Sequence, residues 1–352
     1  MGRMFKLRPM KTADFDAVAE LIFLSTNAWY RERLGHPIFQ CRPADCRIFC
    51  EVYEDLDPDC GLVIENSASG MIAGSCFFHP RETHVSLGIM NVHPNYFGSG
   101  IAGRLLARII DEAELRDLPL RLVSSALNLD SYSLYTRHGF VPEEVYQDVV
   151  ITVPVGGLDL PPSVRARVAS VRVRQAVPGE AENIAAYEHA RRGIHRPADH
   201  ALFLANRVGD WRVWVAEDAA GALTGYLVAS VHPHHRAVGP GAVDDDVTAE
   251  ALLLTALDAY RGGSALVLVP AAAAGLVAHL YALGGRNVEL HVAQVRPVPG
   301  TRGAADAGGA GIATGTVDAD RMEAASRSDP ARGLAGVRSR GWAFPTFLPE
   351  SA

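Results

Sequence analysis

The chain has no Lys- or Arg-rich run, and its 352 residues carry a net charge of −7. That balance argues against nucleic acid or an anionic membrane as the main partner, because either would require a basic face. No apolar run suits a membrane span. The longest uncharged stretch, residues 264–285, is interrupted by Pro270, His279 and several glycines. A buried strand over 265–269 and a helix from Ala271 account for it better. The opening MGRMFKLRPMKTADFD has basic residues but no apolar core of a secretion signal, so a cytoplasmic protein is expected. Cysteine is sparse, with five residues, the last of them Cys76. Cys41, Cys46 and Cys50 do not have zinc-site spacing and no second pair follows, so reduced thiols and no metal are expected.

What is present is concentrated at 92–106, VHPNYFGSGIAGRLL. A strand-like run ends at Val92, His93-Pro94-Asn95 makes a turn, and Gly98, Gly100 and Gly103 open an amphipathic helix. Glycine lets backbone approach a ligand closely, and a helix start offers unpaired N–H groups at the positive end of its dipole. This is a cradle for a phosphate-bearing molecule. The same residues spell GxGxxG, but a dinucleotide site needs an acid at the end of the next strand. That run, 120–126 (LRLVSSA), ends in Ser124, Ser125 and Ala126. A nicotinamide or flavin ligand is therefore set aside.

Next come Asn128 and then Tyr135-Thr136-Arg137-His138-Gly139-Phe140. A strand, V-x-P, glycine loop, helix, strand, Asn and Tyr-x-x-x-Gly-Phe in that order resembles the GNAT superfamily of acyl-CoA-dependent N-acyltransferases, over about residues 3–150. The family's loop has Arg or Gln where Phe97 stands here, whereas Gly100 and Ala102 fit its last two places. Phe97 weakens side-chain contact with a pyrophosphate but leaves the backbone donors in place.

The resemblance implies an α/β (α+β) fold, with a mixed, mostly antiparallel twisted sheet flanked by helices. It implies acetyl-CoA, or another acyl-CoA, as cosubstrate and a small-molecule amine as acceptor. Phe97, Gly98, Ser99, Gly100, Ile101, Ala102 and Gly103 would hold the pyrophosphate. Backbone of Met90, Asn91 and Val92 would pair with the pantetheine arm in a V between two strands. Asn128 would reach the cofactor, or cap the following helix. Tyr135 would be the general acid, or pack beneath the cofactor. Glu82, His84 and His93 are candidate bases beside an ordered water, and Ser124 and Ser125 line the partner strand. The segment 21–39, with Trp29, Tyr30 and Arg31, would wall the acceptor site. A non-catalytic acyl-CoA-binding or scaffold protein, and a carrier-protein acyl donor, remain open alternatives.

The plan occurs twice. KLRPMKTADFDAVAELI near the start is matched by SVRVRQAVPGEAENIAAYE from Ser170, and the later segments recur in order, as far as a Tyr281 that mirrors Tyr135. The expected organisation is a GNAT-like domain over 1–153, a Pro/Gly-rich linker over 154–168, and a degenerate GNAT-like domain over 169–352. The second copy reads Val-Gly-Pro-Gly-Ala-Val-Asp-Asp-Asp over 238–246 where the first has its glycine loop. Pro240 removes a donor and the aspartates repel phosphate, so no second CoA is expected. Tyr281 is expected only to pack. A Gly/Ala-rich loop near 300–316 leads to an aromatic tail with Trp342, Phe344 and Phe347. The tail would cover core, enter the acceptor site or form a homodimer contact.

Overall fold

The structure, a computed structural model, describes residues 4–300 and 343–344. The first copy runs β1 (Phe5–Pro9), α1 (Phe15–Leu34), α2 (Arg47–Leu56), β2 (Gly61–Asn66), β3 (Ile72–Pro80), β4 (Val85–Val92), α3 (Ile101–Leu115), β5 (Leu120–Ser125), α4 (Leu129–Arg137) and β6 (Val141–Val153). The second runs α5 (Pro162–Val168), β7 (Arg172–Gln175), α6 (Ala181–Arg192), α7 (Pro197–Ala205), β8 (Trp211–Glu217), β9 (Leu223–His232), β10 (His235–Val243), α8 (Asp246–Asp258), β11 (Gly263–Pro270), α9 (Ala274–Ala282) and β12 (Arg286–Arg296), with β13 at Ala343–Phe344.

Local chemistry sets the ends of the key helices. α1 stops at Gly35, where φ is 78° and the N–H donates to the Arg31 carbonyl at 3.1 Å. α3 buries Ile101, Leu105, Leu106, Ile109 and Ala113, a stripe at the three-and-four spacing that lays one face on the sheet. Each such Leu or Ile contributes roughly 1.5–3 kcal/mol by leaving water. β3 is buried on both faces because α1 covers one side and α3 the other. Accordingly Phe77 and Ile89 pack with α1, whereas Cys76, Phe78 and Met90 pack with α3.

All the strands join one sheet, in the order β1-β2-β3-β4-β5-β12-β6-β11-β10-β9-β8-β7, with β13 beside β10. Only β4–β5 and β10–β11 pair in parallel. The middle of the order shows an exchange. β12, from the second copy, lies between β5 and β6 of the first, while the part of β6 from Tyr146 to Val153 pairs with β11 of the second. Each copy therefore completes its sheet with a strand from the other. Ion pairs reinforce the junction. The buried Arg81 guanidinium bonds Asp57 at 2.7 Å and, across the copies, Asp199 on α7 at 2.5 Å.

Three sequence expectations need revision. Pro240 and its glycines do not form a degenerate loop but lie within β10, where a register irregularity between Val238 and Gly241 accommodates the missing N–H. Only Asp244 and Asp245 separate β10 from α8, whereas eight residues, 93–100, separate β4 from α3. The second copy thus lacks the loop itself. Tyr281 does not simply pack: the residue is 43% exposed and its hydroxyl donates to Gln147. The expected linker contains α5, whose Arg167 bonds Glu250 on α8. The Gly/Ala-rich stretch and most of the aromatic tail lie outside the described residues, although Ala343 and Phe344 pair with β10 through backbone.

Candidate active site

β4 and β5 pair only at Val85 with Leu120 and at Ser86 with Arg121. Beyond these positions they diverge, leaving the β5-facing edge of β4 from Leu87 to Val92 without a strand partner. On the other edge Cys76 stands opposite Met90 and Phe78 opposite Leu87, so β4 carries an extra residue there. Such a bulge turns backbone groups away from the ladder. The result is a V-shaped opening whose β4 wall contains Met90, Asn91 and Val92.

The glycine loop closes the end of that wall. Gly98 and Gly100 have φ of 75° and 80°, values that strain any side-chain-bearing residue, and a Cβ on either would meet only open space. Ser99 donates its N–H to the Tyr96 carbonyl at 3.1 Å and its hydroxyl to the same oxygen. Phe97 is half-exposed and Ile101 is buried, while Ala102 and Gly103 are partly covered. The N–H groups of Ile101, Ala102 and Gly103 belong to the first turn of α3 and have no carbonyl within the helix to meet. α3 approaches the sheet closely because β3 has Gly74 beneath it, where a Cβ would come 2.5 Å from Ile101 Cγ2.

Asn128 caps α4, its side chain accepting the Ser131 N–H at 3.0 Å. Tyr135 is buried in the α3-side core with its ring 5.6 Å from that of Phe140. Burial, together with the nearby Cys76, raises its hydroxyl above the ordinary value, so it is a protonated donor at neutral pH.

The candidate bases are scattered. Glu82 and His84 stand at the opposite end of β4 from the loop. Glu82 bonds His195, and burial among Arg121, Arg196 and Arg81 lowers His84 to about 3. His93 uses its ring to accept the Asn95 N–H. Burial also pushes the Cys60 thiol up to about 11 and Cys50 to about 12, so neither is a ready nucleophile.

A polar network that the motifs did not reveal lies on the α1 side of the opening. Asn91 donates to Ser25 on α1 at 2.8 Å. Five residues further along α1, Tyr30 donates to Glu289 on β12 at 2.9 Å, and Ser125 donates to the same carboxylate. His291 is 2.9 Å from Asp148 on β6. Asp148, Glu289 and His291 place ligand-type atoms within 4.8 Å of one another, close enough to share an ion, yet each is engaged by these protein partners. Trp29 packs edge-on to Tyr30 and extends this wall of α1.

Residues 57–142 match the sequence profile of the acetyltransferase (GNAT) domain. Among solved structures, a candidate acetyltransferase from Pyrococcus horikoshii superposes with a TM-score of 0.63 at 15% identity, covering 83% of this chain and 89% of its own. A tandem GNAT protein from the clavulanic acid biosynthesis pathway gives 0.56 at 16%, covering 85% and 100%. The chain shares the fold of a tandem GNAT protein. A GCN5-related N-acetyltransferase from Sphaerobacter thermophilus is also similar, with a TM-score of 0.58 at 19% identity and coverage of 84% and 97%. No curated protein matches the chain in sequence. The matched GNAT domain spans the opening, the loop and Tyr135 but ends before β12, so it contains neither Glu289 nor His291. Among the described helices, none is long and apolar enough to cross a membrane.

Proposed function

We propose that this protein transfers an acyl group, foremost acetyl, from acyl-CoA to the amine of a small molecule by direct attack on the thioester. The observation that carries the reading is the opening between β4 and β5 ending at the loop of Gly98 and Gly100. The loop aims the first-turn donors of α3 at the place a pyrophosphate would occupy, where each anion–helix interaction contributes about 0.3–1 kcal/mol. The free backbone edge of Met90 and Val92 suits the amide-bearing pantetheine arm, which needs donors and acceptors in strand-like spacing. Asn128 caps the start of α4, the helix that carries the buried Tyr135.

The amine nitrogen attacks the thioester carbonyl carbon, the C–S bond breaks, and the electron pair leaves on sulfur. Tyr135, held neutral, is the proton donor nearest by resemblance. Burial keeps the hydroxyl protonated and makes the phenolate costly, so Tyr135 must regain a proton as the product leaves. The site asks for an acceptor small enough to pass between α1 and the strands.

Calorimetry with acetyl-CoA, followed by thiol release across a panel of amines, amino acids and aminoglycosides, tests the reading. Binding with thiol release dependent on one acceptor class is expected. Binding without release for any amine would favour a carrier or scaffold, and absence of binding would refute the site.

A further inference from the structure

Glu289 is a buried carboxylate, 8% exposed, enclosed by elements of both copies. Tyr30 faces it from α1, Ser125 from β5, Asp148 from β6, and His291 from its own strand. A carboxylate held this far from water is costly unless its neighbours satisfy it. Here both oxygens accept a hydroxyl proton, and each keeps a second lone pair free.

Its position is informative. Ser125, which bonds it, is the last residue of β5, four residues past that strand's last pairing with β4. At about 3.3 Å per residue, that is roughly 13 Å into the opening. On the opposite wall Asn91 has a buried Oδ1 without a hydrogen-bond partner among the described residues. Asn91 and Glu289 both meet α1, so they flank the opening on one face of the sheet. Two acceptors on that face fit a group with several N–H bonds and disfavour an anion. Tyr135 lies in the core on the other face, with α3.

We infer that Glu289, supplied by the second copy, takes the proton from the acceptor amine in the site formed by the first, with Asn91 Oδ1 accepting a further N–H bond. The inference rests on the transferase reading above. As the C–N bond forms, one amine proton passes to Glu289. As the C–S bond breaks, the thiolate takes a proton from Tyr135 or water, and the proton held by Glu289 then passes through solvent to restore that donor. Atoms and charge balance with acyl-CoA and amine alone. Burial raises the Glu289 carboxyl above the ordinary carboxylate value despite the opposing pull of His291, Ser125 and Tyr30, making it a better proton acceptor. His291 is a positioning residue. Burial works against its charge, but the bond and charge of Asp148 outweigh this and raise it.

The test uses the full chain, acetyl-CoA and the best amine from the panel. Activity should rise with pH through a limb set by Glu289. E289Q should lower kcat by at least about 100-fold, the lower bound for a positioned acid or base. It should also abolish the limb, leave calorimetric acetyl-CoA affinity unchanged, and be partly rescued by E289D. Y30F should move the limb to higher pH, because a hydrogen bond favouring the ionised form is lost. An E289Q protein that binds acetyl-CoA and keeps the wild-type rate and limb overturns the inference alone. Wild-type protein that binds acetyl-CoA but acylates nothing overturns the transferase reading and the inference with it. If E289Q fails to bind acetyl-CoA, an unshifted limb in Y30F overturns the assignment. So does loss of rate on chelation with recovery on adding a divalent metal, which would make the trio an ion site.

Discussion

Dividing the chain between Val153 and Pro162 should destroy the first copy as a folded unit, even though the whole glycine loop and Tyr135 lie in that fragment. Residues 1–155 retain β5 and β6 but lose β12, which bridges them from Leu120 to Ser125 and from Val141 to Val150. Two strand edges are exposed at once. The bonds of Ser125 to Glu289, Gln294 to Ser124 at 2.7 Å, Tyr30 to Glu289 and Arg296 to the His138 carbonyl at 2.9 Å are all lost. A hydrogen bond contributes about 0.5–1.5 kcal/mol net once water can replace it. Four such losses amount to roughly 2–6 kcal/mol, a large part of the 5–15 kcal/mol that holds an ordinary domain together, before the apolar surface uncovered on β5 and β6 is counted. Residues 1–155 expressed alone should therefore aggregate or lack a cooperative melt, whereas co-expression with 156–352 should restore acetyl-CoA binding. Circular dichroism melts, gel filtration and calorimetry measure this. A monomeric 1–155 fragment that melts cooperatively and binds acetyl-CoA like the full chain would refute the argument.

Three further outcomes follow from particular contacts. Gly74→Val should destabilise by about 1–3 kcal/mol through overpacking against Ile101 and weaken acetyl-CoA binding by displacing the start of α3, as read by melting and calorimetry. Tyr135→Phe should slow turnover by about 10²–10⁴-fold if the hydroxyl protonates sulfur, with little change in melting temperature. Tyr135→Ala should cost about 3–5 kcal/mol through the cavity left behind, and a fully active Phe variant would transfer the proton to water. Glu188 is buried with Arg196 at 2.6 Å and His200 at 3.1 Å. Burial opposes its charge, but these partners outweigh it and lower its carboxyl. The stability it contributes is present above the unfolded glutamate value and is lost as pH falls through its lower folded value. Glu188→Ala, which removes the carboxylate shared by Arg196 and His200, should destabilise the protein in urea melts and remove that part of the acid dependence.

The glycine loop, α3 and the cap at Asn128 were legible because each depends on neighbours within a few residues: φ above zero, a three-and-four apolar spacing, an amide three residues before its donor. The exchange of β6 and β12 was not. An alternating strand specifies a face, but not the strand it lies beside. β12 even inverts the simple pattern, because Val288 and Leu290 remain exposed while Glu289 and His291 turn inward. That polar pair at inward spacing was the available signal for the network around Tyr30. The second loop was misread for a related reason. Val-Gly-Pro-Gly resembles a turn unless one knows that an irregular register lets proline remain in a strand. Tyr30 was singled out on α1, but the partner of its hydroxyl lies 259 residues away.

The interleaved strands also bear on how the chain is made. Synthesis runs from the N-terminus, and β5 waits for β12, which is made only after every other strand from β7 to β11 of the second copy. At ordinary elongation rates of about 5–20 residues per second, the stretch from the end of β6 to the end of β12 takes on the order of ten seconds. Throughout that interval the nascent first copy exposes the flanks of β5 and β6, the kind of unpaired edge that other chains can capture. Pairing so distant in sequence closes slowly. Chaperone dependence during synthesis, and poor recovery after full denaturation, are therefore built into the order of the strands.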